Sequence, residues 1–282
     1  MLGGSCLCGD VAWEVRDPCD FLYHCHCSIC RKLHGAGFAT LAAAPAEGFR
    51  LLRGSERLSH YASSPGNERP FCGRCGSPVP TEPTGERVIM PAGCLDEDPG
   101  ARPVAHIYVG SKAPWHEIVD EAPRFQELPP GFPEPRITPQ ERRESEPGCT
   151  RGSCQCGQIA WELAADLELL RNCHCSRCRK ARGAAYATNG FHNPGAFRWL
   201  HGEEALRSFK VPDAERFTHT FCATCSSTLP RVQPGIGAVV IPAGSIDGDV
   251  AGRPRVHIFV ASKAPWYEIP DGLPQHPESA PF

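Results

Sequence analysis

Cys25-His26-Cys27-Ser28-Ile29-Cys30-Arg31-Lys32 returns later in the chain as Cys173-His174-Cys175-Ser176-Arg177-Cys178-Arg179-Lys180. Three cysteines within six residues can offer a metal ion three thiolates and leave its fourth position to be filled from elsewhere, the pattern of an open zinc site. The surroundings repeat as well. Gly4-Ser5-Cys6-Leu7-Cys8-Gly9 matches Gly152-Ser153-Cys154-Gln155-Cys156-Gly157, and Ala12-Trp13-Glu14 matches Ala160-Trp161-Glu162. Further on, Phe71-Cys72-Gly73-Arg74-Cys75 matches Phe221-Cys222-Ala223-Thr224-Cys225, and Ser111-Lys112-Ala113-Pro114-Trp115 matches Ser262-Lys263-Ala264-Pro265-Trp266. The chain is two copies of one module.

These matches set a first module at residues 1–122 and a second at 149–269, each of about 120 residues, an ordinary domain size. Residues 123–148 are rich in proline and charge, and are expected to form a semi-rigid linker with a short helix at Pro139 to Glu146. A tail at 270–282 is expected to lie loosely over the surface.

Within each copy the apolar residues alternate. Val11, Trp13 and Val15 do so, as do Ile159, Trp161 and Leu163, while Val104 to Val109 and Arg255 to Val260 have the β-branched and aromatic content of strands. With 28 glycines and 29 prolines the chain is broken too often for long helices, although Ser28 to His34 and Ser176 to Arg182 each suit about two turns. The expected fold is mainly β: two tandem modules of small twisted sheets, pinned by metal, with short helical turns.

No apolar run approaches the roughly 18 to 20 residues of a membrane span, and Met1 to Cys6 lacks the regions of a signal peptide. A cytoplasmic location is expected, where thiols stay reduced, so the 17 cysteines point to metal rather than disulfides. Formal charge is −3 with no long basic run, which argues against a nucleic-acid partner. Thiolate-bound zinc would make the chain more negative still.

Seven cysteines recur per copy: Cys6, Cys8, Cys25, Cys27, Cys30, Cys72 and Cys75, then Cys154, Cys156, Cys173, Cys175, Cys178, Cys222 and Cys225. Cys19, Cys94 and Cys149 do not recur and receive no role. Seven thiolates cannot fill two closed tetrahedral sites, so one site of four and one of three is the economical partition. Cys6 and Cys8 with Cys72 and Cys75 would then staple distant segments, and Cys25, Cys27 and Cys30 would form the open site. Other pairings, a multi-metal cluster and iron–sulfur in place of zinc stay compatible with the spacing alone.

With G-x-C-x-C-G, C-H-C-x-x-C-R-K, F-C-x-x-C and S-K-A-P-W in this order in both halves, the chain resembles the glutathione-dependent formaldehyde-activating enzyme family, which includes centromere protein V-like proteins. The resemblance implies zinc-stapled modules of the Mss4-like (β-tent) type, about four zinc ions per chain, and Cys25, Cys27, Cys30 and Cys173, Cys175, Cys178 as the ligands of two catalytic sites. It also implies carbon–sulfur lyase chemistry of the S-hydroxymethylglutathione synthase kind, in which a small-molecule thiol such as glutathione adds to, or leaves, an aldehyde or thioether. The family's F-C-x-x-C-G is kept at Gly76 but becomes Ser226 in the second half, where a strained or altered turn is expected. A non-catalytic, zinc-bearing interaction module is the alternative.

An open three-thiolate site suits a thiol, whose pKa falls on coordination. Only two histidine positions recur, His26 with His174 and His106 with His257. Each is read either as a buried hydrogen-bonding residue or as a proton shuttle, with the His26 ring turned away from the metal. Arg31-Lys32 and Arg179-Lys180 are read either as carboxylate binders or as solvated helix ends. Trp13, Trp115, Trp161 and Trp266 are read as core, and Lys112 and Lys263 as surface lysines. The modules are expected to be able to pack on each other within the chain.

Overall fold

The structure is a computed structural model that describes residues 1–83, 85–131, 137 and 146–280. The first half runs β1 (Leu2–Ser5), β2 (Ala12–Val15), β3 (Phe21–Cys25), α1 (Ser28–His34), β4 (Ala39–Pro45), β5 (Phe49–Arg53), β6 (Leu58–Ser64), β7 (Asn67–Cys72), β8 (Arg87–Pro91) and β9 (Pro103–Ile107). The second repeats it as β10 (Thr150–Ser153), β11 (Ala160–Leu163), β12 (Leu169–Cys173), α2 (Ser176–Arg182), β13 (Ala187–His192), β14 (Phe197–His201), β15 (Leu206–Lys210) and β16 (Thr218–Cys222). It ends with β17 (Arg231–Gln233), β18 (Ala238–Pro242) and β19 (Arg253–Ile258).

The protein is mainly β. Each half holds a three-stranded sheet (β1-β2-β5; β10-β11-β14), a hairpin (β6-β7; β15-β16) and a larger sheet, β8-β4-β3-β9 in the first half and β17-β18-β13-β12-β19 in the second. In the larger sheets β3 pairs in parallel with β9, and β12 with β19, which sets His24 beside His106 and Asn172 beside His257. All four recurring tryptophans are fully buried. On β2 and β11, Trp13 and Val15, and Trp161 and Leu163, flank Glu14 and Glu162, the alternation of a strand with one face in a core.

Residues that the sequence reading gave to linker and tail extend these sheets. Pro123 O and Glu127 O accept from His106 N and Tyr108 N, and Pro274 O and Glu278 O accept from His257 N and Phe259 N. The tail is therefore tied to β19 rather than loose, because β9 and β19 would otherwise be edges with unpaired backbone groups. The helix expected at 139–146 lies, apart from Glu146, outside the described residues.

The two halves interlock. Helix α1 ends against the turn at Gly244 of the second half, where a Cβ would lie 2.2 Å from Arg31 O; α2 ends against Gly93 of the first, where a Cβ would lie 2.3 Å from Ala184 N. Only glycine allows this backbone approach. Arg182 Nη1 donates to Gly35 O, and Thr228 N to Lys32 O, so hydrogen bonds cross the same seam. Among the described residues no helix is long and apolar enough to cross a membrane.

Candidate metal centres and the cavity between the halves

Turns at the ends of short strands gather the cysteines. Cys6, Cys8, Cys72 and Cys75 place their sulfurs within 4.8 Å of one another, and so do Cys154, Cys156, Cys222 and Cys225. Cys6 Sγ is 3.4 Å from Cys8 Sγ, which is 3.7 Å from Cys72 Sγ; Cys154, Cys156 and Cys222 repeat these distances. Zinc–sulfur bonds of about 2.3 Å in a tetrahedron separate the sulfurs by about 3.8 Å, so both donor sets fit such an ion. Val11 N and Ile159 N donate to the first sulfur of each set.

The turn after the second knuckle keeps its shape despite the lost glycine. Gly76 has φ +73°, and Ser226 has φ 58° in the same left-handed region. Both amides donate to the first knuckle cysteine, Gly76 N to Cys72 O and Ser226 N to Cys222 O. Strain at Ser226 is thus the result, without an altered turn.

Cys25, Cys27 and Cys30 form a second cluster within the same 4.8 Å limit, as do Cys173, Cys175 and Cys178. No further His, Cys, Asp or Glu ligand atom joins either trio among the described residues. Cys25 ends β3, Cys27 caps α1, and Cys30 lies in its first turn; Cys30 N donates to Cys27 Sγ at 3.3 Å. Cys178 N donates to Cys175 Sγ at 3.4 Å in the same way. Hydrogen bonds from Cys173 and Cys178 lower Cys175 to about 3, so the trio favours a thiolate there. Cys27 is fully buried, whereas Cys175 is partly exposed.

From the histidine between the first two cysteines of each trio runs a chain of side chains. His26 Nε2 lies 2.8 Å from His106 Nδ1, and His106 Nε2 lies 2.9 Å from Asp120 Oδ1. In the second half His174 Nε2 lies 2.7 Å from His257 Nδ1, and His257 Nε2 lies 3.1 Å from Asp271. Burial lowers His26 well below the usual imidazole range and His174 to about 3, so both rings are neutral at pH 7. A carboxylate accepts, so His106 Nε2 carries the proton, His106 Nδ1 accepts, and His26 Nε2 donates. That leaves His26 Nδ1 as a bare acceptor. It is buried without a partner, and so is His174 Nδ1.

Asp120 and Asp271 were not among the sequence candidates. Extending Ser111 to Trp115 and Ser262 to Trp266 by five residues exposes a shared W-x-E-I-x-D, ending at Asp120 and Asp271. Both carboxylates line a cavity of about 530 Å³ between the halves, with His24, His106 and His116 from one half and Tyr186 and Tyr267 from the other. The His26 ring packs on Phe38 and His116 of this wall.

The lysines of the C-R-K stretches lie elsewhere. Lys32, buried, donates to Ser153 O, Ser153 Oγ and Asp247 Oδ1 at 2.7, 2.9 and 2.5 Å. Lys180 does the same to Ser5 Oγ and Asp96 Oδ1, at 2.5 and 2.6 Å. Each lysine is a bolt into the opposite half, where it holds a carboxylate of the chain itself, rather than a solvated helix end. Lys112 and Lys263 are half-buried and donate to loop carbonyls at His116 and Tyr267.

The sequence pattern of the family described as glutathione-dependent formaldehyde-activating enzyme matches residues 1–111 and 149–262. A Halomonas elongata protein carrying that family name is 34% identical over 128 residues, spanning 42% of this chain and 81% of its own length. A solved Rhodobacter sphaeroides protein is 23% identical and covers 36% of this chain and 91% of itself, with a TM-score of 0.29. The chain belongs to the glutathione-dependent formaldehyde-activating enzyme family, whose pattern it carries once in each half.

Proposed function

We propose that each half is a zinc-dependent site of carbon–sulfur lyase type, in which a thiol such as glutathione adds to, or is released from, a small aldehyde. Cys25, Cys27 and Cys30, and Cys173, Cys175 and Cys178, would hold one zinc each. Cys6, Cys8, Cys72 and Cys75, and Cys154, Cys156, Cys222 and Cys225, would hold two structural ions. Zinc held by three thiolates would supply an open position that favours an incoming thiol as its thiolate.

The observation that carries this reading is the three-cysteine cluster that gathers no fourth ligand atom among the described residues, together with a buried, unpartnered nitrogen on the histidine between its first two cysteines, His26 Nδ1 and His174 Nδ1. A buried acceptor without a donor is costly unless a ligand satisfies it. As the sulfur attacks the carbonyl carbon, the carbon–oxygen π pair moves to oxygen. His26 Nδ1 takes the thiol proton and returns it to that oxygen, so the adduct forms with no net loss of protons. Asp120, through His106, holds the His26 ring in the accepting tautomer.

The test is thiol titration of the cobalt-substituted chain, followed by proton NMR of the thiol with formaldehyde. A thiol-dependent change in the cobalt spectrum and a new S–CH₂–OH resonance are expected. An unchanged spectrum would refute the open-site reading and leave a zinc-bearing interaction module.

A further inference from the structure

The cavity between the halves is separate from the three-cysteine trios: among the described residues, none of their cysteines lines it. Its volume of about 530 Å³ falls within the roughly 300–1,000 Å³ of small-molecule sites, and formaldehyde would leave nearly all of it empty. The lining divides by chemistry. Buried rings form the floor, Phe38 and Trp115 from the first half and Tyr186 and Tyr267 from the second. Phe38 and Tyr186 meet edge to face with centroids 5.5 Å apart, and Tyr186 and Tyr267 lie at the same distance, so one aromatic surface spans both halves.

The rim is acidic and more exposed, with Glu117, Asp120 and Asp271. Imidazole and backbone N–H groups hold two of these carboxylates in place, His106 Nε2 and Ala122 N on Asp120, and His257 Nε2 and Leu273 N on Asp271. Among the described residues, Arg253 is the one lysine or arginine of the lining. Its Nη2 lies 3.2 Å from Asp249 Oδ2, a carboxylate that does not line the cavity. Three carboxylates thus stand around the aromatic floor, and the guanidinium beside them already has a partner.

An aromatic face attracts a cation within about 6 Å of its centroid, the more so where water is displaced. Carboxylates at the edge of the same low-dielectric pocket add to that attraction and repel an anion. A neutral apolar ligand gains only the burial of its surface.

We infer that the cavity is a binding site for an organic ammonium ion with apolar substituents, held against the rings of Phe38, Tyr186 and Tyr267 and paired with the rim carboxylates. Its occupant meets the outer carboxylate of both histidine chains at once. The rival reading is a water-filled gap where two halves meet, with the carboxylates solvated.

Calorimetric titration of the full-length, zinc-loaded chain with choline and with 3,3-dimethyl-1-butanol separates the two. The alcohol has the shape of choline, with carbon in place of nitrogen and no charge. Choline is expected to bind at least about tenfold more tightly. Its Kd is expected to rise about threefold in Glu117→Gln and about tenfold in Tyr186→Leu. Equal affinity for the two probes overturns the inference, as does an absence of choline binding. A choline Kd unmoved by both substitutions overturns it too, because the cation would then sit elsewhere. Glu117 is exposed, so Glu117→Gln decides the matter if Tyr186→Leu does not fold. Neither probe is a thiol, so these results stand whatever the thiol titration shows.

Discussion

His106 Nδ1 is 2.8 Å from His26 Nε2, and His26 stands between two cysteines of the same trio. The pair links the cysteine segment that follows β3 to the parallel strand β9, and through Asp120 to the cavity between the halves. The second half repeats it with His174, His257 and Asp271.

Asp120→Asn, Asp271→Asn should therefore lower kcat by roughly a hundredfold and leave thiol affinity unchanged. An amide can donate to His106 Nε2, which reverses the tautomers and places a proton on His26 Nδ1. Because both carboxylates are partly exposed, the melting temperature should barely move. Steady-state kinetics beside a melting curve check this, and an unchanged kcat would reduce the chain of histidines to a packing role.

Ser226→Gly should stabilise the protein by about 1 kcal/mol, because a side chain at φ 58° carries strain that glycine lacks. The mirror change, Gly76→Ala, should destabilise by more. Its Cβ would fall 2.4 Å from the Phe221 ring, which the other half packs against this turn. Urea denaturation of both variants checks the opposite signs.

The cysteine trios, the four-cysteine sets and both helices were legible because they depend on spacing within a few residues, and the repeat tied distant pairs together. Lys32 and Asp120 were not legible in the same way. Lys32 looks like a helix-end cation until β10 and Asp247 of the other half are set against it. Asp120 follows the last recognised motif in a loop, where neither alternation nor helical period marks a buried partner. Lys32 gains its role from a contact across the two halves and Asp120 from a loop folding back on His106 of β9, and such contacts leave no local periodicity.

Lys32→Met should cost roughly 3 kcal/mol, since it leaves the Asp247 carboxylate in a buried seam with the Ser153 hydroxyl but without its counter-charge. The Lys32 side chain is only 4% exposed and that of Asp247 12%, against 22% and 42% for Lys180 and Asp96. Lys180→Met should accordingly cost about 1 kcal/mol, the range of a partly solvated pair. Equal effects in chemical denaturation would contradict the difference in burial.

Metal content should separate the two kinds of cysteine. Wild-type protein should carry about four zinc ions, and Cys27→Ser, Cys175→Ser about two. Each replaced cysteine caps a helix by accepting from the residue three positions on, and serine is itself a favoured cap. The substitution thus removes a ligand while keeping the helix start, and the variant should stay folded and lose turnover. Cys6→Ser acts on a different link. Cys6 and Cys8 are joined to Cys72 and Cys75 through the ion they are proposed to share, so its loss removes folding free energy from the first module. A chelator should reproduce the two effects in sequence if the open sites release metal first: turnover is lost while the circular dichroism is still native, and unfolding follows. Simultaneous loss of activity and structure, with two ions per wild-type chain, would mean that the three-cysteine trios hold no metal.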